Sequence, residues 1–157
     1  MSLRPEKIVS GGQTGVDRAA LDVAIDLDIP HGGWCPQGRR SEDGRIADRY
    51  QLIETEARDY SVRTEKNVID SDGTLILYFG TLSGGTRLTW KLAARHGRPV
   101  LKVDLQSCEP KLMIPAIHDW IEQQSISVLN VAGPRESSVP GISAKAREFL
   151  ARALNGV

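Results

Sequence analysis

Short apolar runs alternate along the chain with longer segments in which apolar residues recur every three or four positions. The runs are typical of buried strands, and the longer spacing is typical of helices with one apolar face. The pattern predicts strands at about 7–10, 31–35, 74–79, 100–103 and 126–131. It predicts helices at about 15–27 and 62–70, one ending near His96, one over 112–121, and a last one through Ala146 and Leu150.

Strands that alternate with helices indicate a parallel sheet covered by helices on both faces. The run 75–79 is continuously apolar, as expected for a strand buried on both sides. A length of 157 residues suits one domain. We therefore expect residues 1–157 to form a single Rossmann-like α/β domain with a doubly wound, mainly parallel sheet of about five strands. The pattern leaves the strand order open; if the first and third strands are neighbours, their turns flank one crevice.

Glycine-rich turns follow three of these strands, at 10–18 (SGGQTGVDR), 80–87 (GTLSGGTR) and 132–138 (AGPRESS). A strand, a glycine-rich turn and a helix together aim backbone N–H groups and the positive helix end at an anion. One such turn is a weak signal, because its glycines can serve the turn alone. Three turns that meet at the carboxyl edge of one sheet, where open α/β folds bind ligands, predict an anion pocket.

Backbone and hydroxyl donors of these turns, with nearby arginines, are the expected ligand contacts. The candidate ligand-binding residues are Gly11, Gly12, Gln13, Thr14, Gly15, Arg18, Arg39, Arg40, Ser83, Gly84, Gly85, Thr86, Arg87, Gly133 and Arg135. Arg39 and Arg40 belong to a long polar section over 36–66, and guanidinium groups suit bidentate binding of an oxyanion. The alternative for this section is a solvated loop in which Glu42 and Asp43 neutralise the arginines.

Several other polar residues have a structural alternative. Thr14 has N-cap spacing, and capping of the first helix is its expected role. Arg63 lies on one face of a predicted helix, which is either a wall of the site or a surface. The sequence does not decide whether Asp17, Glu42 and Glu65 face the pocket.

The composition narrows the range of partners. Charge is balanced, with 20 basic and 20 acidic residues, so no overall field would attract nucleic acid or an anionic membrane. No apolar run reaches the length of a membrane span, and no signal peptide is evident, so we expect a cytoplasmic protein. His31, His96 and His118 lack metal-ligand spacing, and Cys35 and Cys108 form no usual zinc site. We therefore expect no protein-ligated metal.

Five segments resemble the family of putative molybdenum carrier proteins. They are SGGQTGVDRAA at 10–20, GGWCPQGRRSEDG at 32–44, RTEKNVIDSDGTL at 63–75, GGTRLT at 84–89 and VLNVAGPRES at 128–137. That family is similar to the cytokinin-activating phosphoribohydrolases and to bacterial nucleotide-sensing proteins. The resemblance implies a Rossmann-like sheet, a pocket that binds molybdenum cofactor or a nucleotide, and a homo-oligomer.

Three functions follow as hypotheses, and whether the protein is an enzyme stays open. The first is a binding protein for a phosphate-bearing small-molecule anion. The second is a nucleotide N-glycosidase acting on nucleoside monophosphates, although Thr89 stands about where the related hydrolases carry a glutamate. Without a positioned carboxylate, a general acid for the leaving base is missing. The third is a regulatory or interaction module without a small ligand.

Overall fold

The structure, a computed structural model, describes residues 4–155. In chain order its strands are β1 (Lys7–Val9), β2 (His31–Gly32), β3 (Trp34–Cys35), β4 (Arg40–Ser41), β5 (Gly44–Arg45), β6 (Ile53–Glu54), β7 (Gly73–Tyr78), β8 (Val100–Asp104) and β9 (Val128–Ala132). Its helices are α1 (Val16–Asp26), α2 (Tyr60–Ile69), α3 (Gly84–Arg95), α4 (Pro110–Gln123) and α5 (Ile142–Ala153). Every predicted element is present, but the strand predicted at 31–35 is divided.

The central sheet has five strands in the order β2-β1-β9-β7-β8, and each neighbouring pair is parallel. The predicted fold class is therefore confirmed. The last strand separates β1 from β7, so the first and third of the predicted strands are not neighbours. Because β1, β9 and β7 lie side by side, the three glycine-rich turns leave adjacent strands at one edge of the sheet.

Helices cover both faces of this sheet. On one face α1, α4 and α5 pack with the sheet in the main core, which includes Leu75, Leu129 and Phe149. On the other face α2 and α3 pack together through Val68 and Leu92. Among the helices of residues 4–155, none has both the length and the apolar character required to cross a bilayer.

The division at 31–35 has a backbone cause. Gly33 has a φ of 127°, and a Cβ atom there would lie 2.2 Å from the carbonyl oxygen of Ser10. Only glycine accommodates both conditions without strain. The chain turns away at this residue, so β2 stays in the central sheet while β3 pairs in parallel with β6.

The polar section after β3 is folded. Strands β4 and β5 form an antiparallel hairpin, and Cys35, Ile46 and Tyr50 pack with Leu21 of α1 in a small second core. The section is therefore a compact unit that lies on α1 beside the carboxyl edge of the central sheet.

Candidate functional site

A cleft of about 140 Å³ lies at the carboxyl edge of the sheet. Its walls come from the turn before α1, the first turns of α2 and α3, and the loop after β9. Seven of the predicted site residues line it: Gln13, Ser83, Gly84, Gly85, Thr86, Gly133 and Arg135. Lining residues absent from that prediction include Asp17, Tyr60, Ser61, Arg63, Thr64, Thr89 and Ser138.

The N-terminus of α3 is open toward solvent. Its N-cap residue is Ser83, whose side chain makes no capping hydrogen bond. No heavy atom from a distant part of the described chain lies within 4 Å of the Cβ position at Gly84 or Gly85. Because the first amides of a helix have no intrahelical acceptor and carry the positive end of its dipole, this turn suits an anion.

Three arginines surround the ring of Tyr60 at the start of α2. The guanidinium carbons of Arg40, Arg63 and Arg135 lie 5.0, 5.9 and 5.4 Å from the ring centroid. These distances are within the range of cation–π attraction. Within the described part of the chain, Nε of Arg40 and Nε of Arg63 are buried without a hydrogen-bond partner. The cluster therefore has unused donors next to the cleft.

Arg63 also contacts a buried carboxylate. Its Nη1 donates to Asp17 Oδ2 at 3.1 Å, and Asp17 is 3% exposed. Burial raises the pKa of the Asp17 carboxyl, and Arg63 opposes that rise. A Cβ atom at Gly11 would lie 1.8 Å from Arg63 Nη1. Gly11 is thus needed for the approach of Arg63, although it does not line the cleft itself.

Gln13 carries a further unpaired donor beside the cleft. Its Oε1 accepts hydrogen bonds from the backbone N–H groups of Thr14 at 3.0 Å and Glu42 at 2.9 Å. These two bonds fix the orientation of the side-chain amide. Nε2 is buried and has no acceptor among residues 4–155. A buried donor without a partner is unfavourable, so a conformation or ligand that supplies an acceptor is favoured.

The rest of the first glycine-rich turn supports the cleft without lining it. Gly15 has a φ of 82°, and a Cβ atom there would lie 2.2 Å from the carbonyl oxygen of Pro134. Arg18 donates to the carbonyl oxygen of Gly12 at 3.0 Å and pairs with Asp43 at 2.7 Å. The turn is therefore fixed between the loop after β9 and the β4–β5 hairpin.

The expected capping role of Thr14 is wrong. The N-cap of α1 is Gly15, and no side chain caps that helix. Thr14 Oγ1 instead donates to Glu42 Oε2 and accepts from the backbone N–H of Glu136 at 3.1 Å. The hydroxyl joins three segments because Thr14 lies one residue outside the capping position.

The remaining predicted arginines are not among the residues that line the cleft. Arg39 is buried in the polar section, where its Nε and Nη2 donate to backbone carbonyl oxygens. Arg40 donates to the carbonyl oxygen of Arg58 and packs on Tyr60. Arg87 is exposed on α3. Among the described arginines, Arg63 and Arg135 line the cleft.

The three acidic residues that the sequence left open differ in their placement. Asp17 lines the cleft. Glu42 lies beside it, 3.9 Å from Arg135. Glu65 pairs with His96 at 2.8 Å and does not line the cleft. Within residues 4–155, no group of three or more His, Cys, Asp or Glu residues is placed to hold a metal ion.

A family model and a solved structure each match nearly the whole chain. The sequence model of the circularly permutated YpsA SLOG family matches residues 8–154. The crystal structure of a putative molybdenum carrier protein from Syntrophus aciditrophicus SB is 47% identical, covers 98% of both chains and superposes with a TM-score of 0.95. A structure of (E)-4-hydroxy-3-methyl-but-2-enyl diphosphate reductase is 14% identical over 94% of this chain and 59% of that one, with a TM-score of 0.39, which is too low to support an argument. No curated protein matches the chain.

Proposed function

The chain belongs to the circularly permutated YpsA SLOG family, and we propose that it binds a phosphate-bearing small-molecule anion in the cleft between α2, α3 and the loop after β9. The resemblance to the putative molybdenum carriers is confirmed by the similarity to the Syntrophus protein. One observation carries the proposal: the uncapped, unobstructed first turn of α3 shares a cleft with Arg63 and Arg135. Anions bind at such helix N-termini, and one guanidinium group can donate hydrogen bonds to two oxygens of the same oxyanion.

The donor set favours an oxyanion over a bare metal ion. Backbone N–H groups at 84–86, the Ser83 hydroxyl and the guanidinium groups of Arg63 and Arg135 are all groups that can donate hydrogen bonds, and their residues line the cleft. Molybdenum as cargo would therefore be recognised as molybdate, or through the phosphate of an organic molybdenum cofactor. A nucleotide phosphate meets the same donors, so the choice between these ligands requires binding measurements.

Gly85 offers a sharp test of this site. A Gly85→Asp variant places a carboxylate in the first turn of α3, where it favours the helix but repels a bound anion. Isothermal titration calorimetry with inorganic phosphate, molybdate and AMP should show at least about a tenfold loss of affinity, whereas the melting temperature should not fall. Gly85→Ala is the matched control, because the space around its Cβ is open. Equal affinities in Gly85→Asp and Gly85→Ala would refute the site.

A nucleotide N-glycosidase is the second candidate, and the position of Asp17 favours it. Thr89 stands about where the related hydrolases carry a glutamate, and a threonine supplies no acid there. Its hydroxyl donates to the carbonyl oxygen of Gly85 at 3.0 Å. Asp17 places a carboxyl in the same cleft, where burial raises its pKa and the Arg63 guanidinium opposes that rise, and a positioned carboxyl can transfer a proton. Such a group could protonate the leaving base or deprotonate the attacking water.

Chromatography of purine and pyrimidine nucleoside monophosphates incubated with the protein separates the two candidates. The hydrolase hypothesis predicts free base and ribose 5-phosphate, and loss of both products in Asp17→Asn with binding retained. If all the substrates stay intact while calorimetry still shows heat of binding, the hydrolase hypothesis is rejected and the binding-protein hypothesis remains. The interaction module predicts neither binding nor turnover.

A further inference from the structure

The carboxylate of Glu42 is held as a bound anion would be. Its Oε2 accepts from Thr14 Oγ1 and from the backbone N–H of Ser137 at 3.2 Å, and its Oε1 accepts from Ser137 Oγ. Arg135 Nη1 lies 3.9 Å from Oε1. Burial by itself would raise the pKa of Glu42, but the donors from Ser137 and Thr14 outweigh it and hold the pKa below its usual value. Two hydroxyls, an amide and a guanidinium form a common oxyanion-binding set.

These donors and the carboxylate belong to different parts of the molecule. Thr14 lies in the turn after β1, and Ser137 lies in the loop after β9, so both donors follow central strands of the sheet. Glu42 instead lies at the tip of the β4–β5 hairpin, whose strands have only two residues each. The hairpin inserts its carboxylate between donors that the sheet positions independently of it.

Arg135 links this position to the cleft. It lines the cleft wall, packs near Tyr60 and approaches Glu42. A guanidinium has five N–H donors in one plane and can contact two anionic groups at once. An anion in the cleft and an anion in place of the Glu42 carboxylate would therefore share Arg135.

We propose that the donors around Glu42 form a second oxyanion subsite, which Glu42 occupies in the ligand-free protein and yields to a ligand with two adjacent anionic groups. The proposal rests on the anion site in the cleft and specifies its ligand class as a diphosphate, such as a nucleoside diphosphate. The internal carboxylate competes with the second phosphate, so the apparent affinity is the intrinsic affinity multiplied by the fraction of molecules in which the subsite is free.

Removal of the competing carboxylate tests this directly. Calorimetric titrations compare phosphate with pyrophosphate and AMP with ADP, in the wild type, Glu42→Ala and Glu42→Gln. We expect Glu42→Ala to strengthen binding of pyrophosphate and ADP by about tenfold, and binding of phosphate and AMP by less than about threefold. Glu42→Gln should show a smaller gain, because its amide still fills the subsite.

Asp43→Ala is the matched control. Asp43 lies at the same hairpin tip and pairs with Arg18 at 2.7 Å, so its removal loosens the hairpin and deletes one negative charge without emptying the subsite. A diphosphate-selective gain in Glu42→Ala that is absent from Asp43→Ala supports the proposal. An equal gain in diphosphate affinity in both variants would refute the subsite but not the cleft site. The same conclusion follows if Glu42→Ala shows no gain while phosphate and AMP still bind. If no anion binds any of the proteins, the cleft proposal fails with it.

Discussion

Arginine residues in this protein differ in role according to the atoms that their guanidinium groups meet. Arg39 meets backbone carbonyl oxygens, at 3.0 Å for Ile46 and 2.7 Å for both Ala47 and Tyr50. Arg63 meets the carboxylate of Asp17 and retains a buried Nε without a partner in the described chain. The first arrangement satisfies the guanidinium and organises a loop, whereas the second leaves donor capacity beside the cleft.

Replacement of Arg39 should therefore affect stability. In Arg39→Lys, a single ammonium group cannot reach carbonyl oxygens that a planar guanidinium contacts together, and some stay buried without a donor. We expect urea unfolding to show a loss of about 2–4 kcal/mol. Arg87→Lys, at an exposed arginine of α3, is the control and should change stability by less than about 0.5 kcal/mol. A loss below that value in Arg39→Lys would contradict the structural role.

Asp43 should contribute stability that depends on pH. The hydrogen bonds from Arg18 and Ser41 lower the pKa of Asp43 to about 2. Because this folded-state pKa lies below the unfolded value of 3.8, the contribution is present above about pH 4 and is lost as the pH falls toward 2. The side chain is 51% exposed, so the effect is small, about 0.5 kcal/mol.

Chemical denaturation of Asp43→Asn and wild type between pH 2 and pH 7 measures that contribution. The variant should be less stable at pH 7, and the difference should disappear as the pH approaches 2. A difference that is constant over this range would show that the carboxylate charge is not its source.

The candidate site shows which residues the sequence could identify. Gln13, Gly85 and Arg135 follow buried strands, and the carboxyl ends of parallel strands define the edge where the cleft lies. Arg63 and Tyr60 lie on α2, and their place in the cleft depends on how α2 packs against α3. That packing is a tertiary property, so the local pattern left Arg63 equally compatible with a surface.

Among the elements, the break between β2 and β3 directs the polar section away from the central sheet. Gly33→Ala should be strongly destabilising, because the new Cβ would lie 2.2 Å from the carbonyl oxygen of Ser10 and the φ of 127° disfavours alanine. Gly44→Ala is the matched control, since its φ is 111° but its Cβ position is open. We expect thermal unfolding to show about 2 kcal/mol more loss in Gly33→Ala than in Gly44→Ala. Similar losses would mean that backbone strain alone governs both sites.

The helices and the central strands were predictable because their apolar spacing persists over several residues. The helix over 112–121, for example, repeats apolar residues through Ile114, Ile117 and Ile121. Strands β3 to β6 have two residues each, too few for any period to appear. Their arrangement depends on Arg39, which bonds to carbonyl oxygens of the same section, and on Gly33, which lies against the more remote Ser10. Neither contact has a periodic signal, and so the strands within 36–66 were not predicted.

At the scale of the whole molecule, ligand binding should raise stability by mass action. A ligand at one hundred times its dissociation constant adds about 2.7 kcal/mol, if it binds only the folded state. For a domain of this length that corresponds to a rise of about 5–10 °C in melting temperature. Thermal unfolding with phosphate, molybdate, AMP and ADP measures the rise, and Gly85→Asp should not show it. The same shift in that variant would place the ligand elsewhere.

The homo-oligomer and the cytoplasmic location stay predictions. The exposed large apolar side chains of the described residues are Ile53, Ile69, Trp90 and Leu112, which belong to four different elements. Light scattering coupled to gel filtration measures the mass in solution. A value near 17.2 kDa at all protein concentrations would contradict the oligomer.

The central position of β9 has a consequence for how the chain is made. Lys7 pairs with Val128 on one side of β9, and Gly73 pairs with Leu129 on the other. The ribosome therefore synthesises the pair β1–β2 and the pair β7–β8 before it synthesises β9, the strand that joins the two pairs. Until then each pair has an open edge, a state prone to aggregation. Nascent chains that stall before residue 128 should depend on chaperones, and the sheet should form late, in one cooperative step.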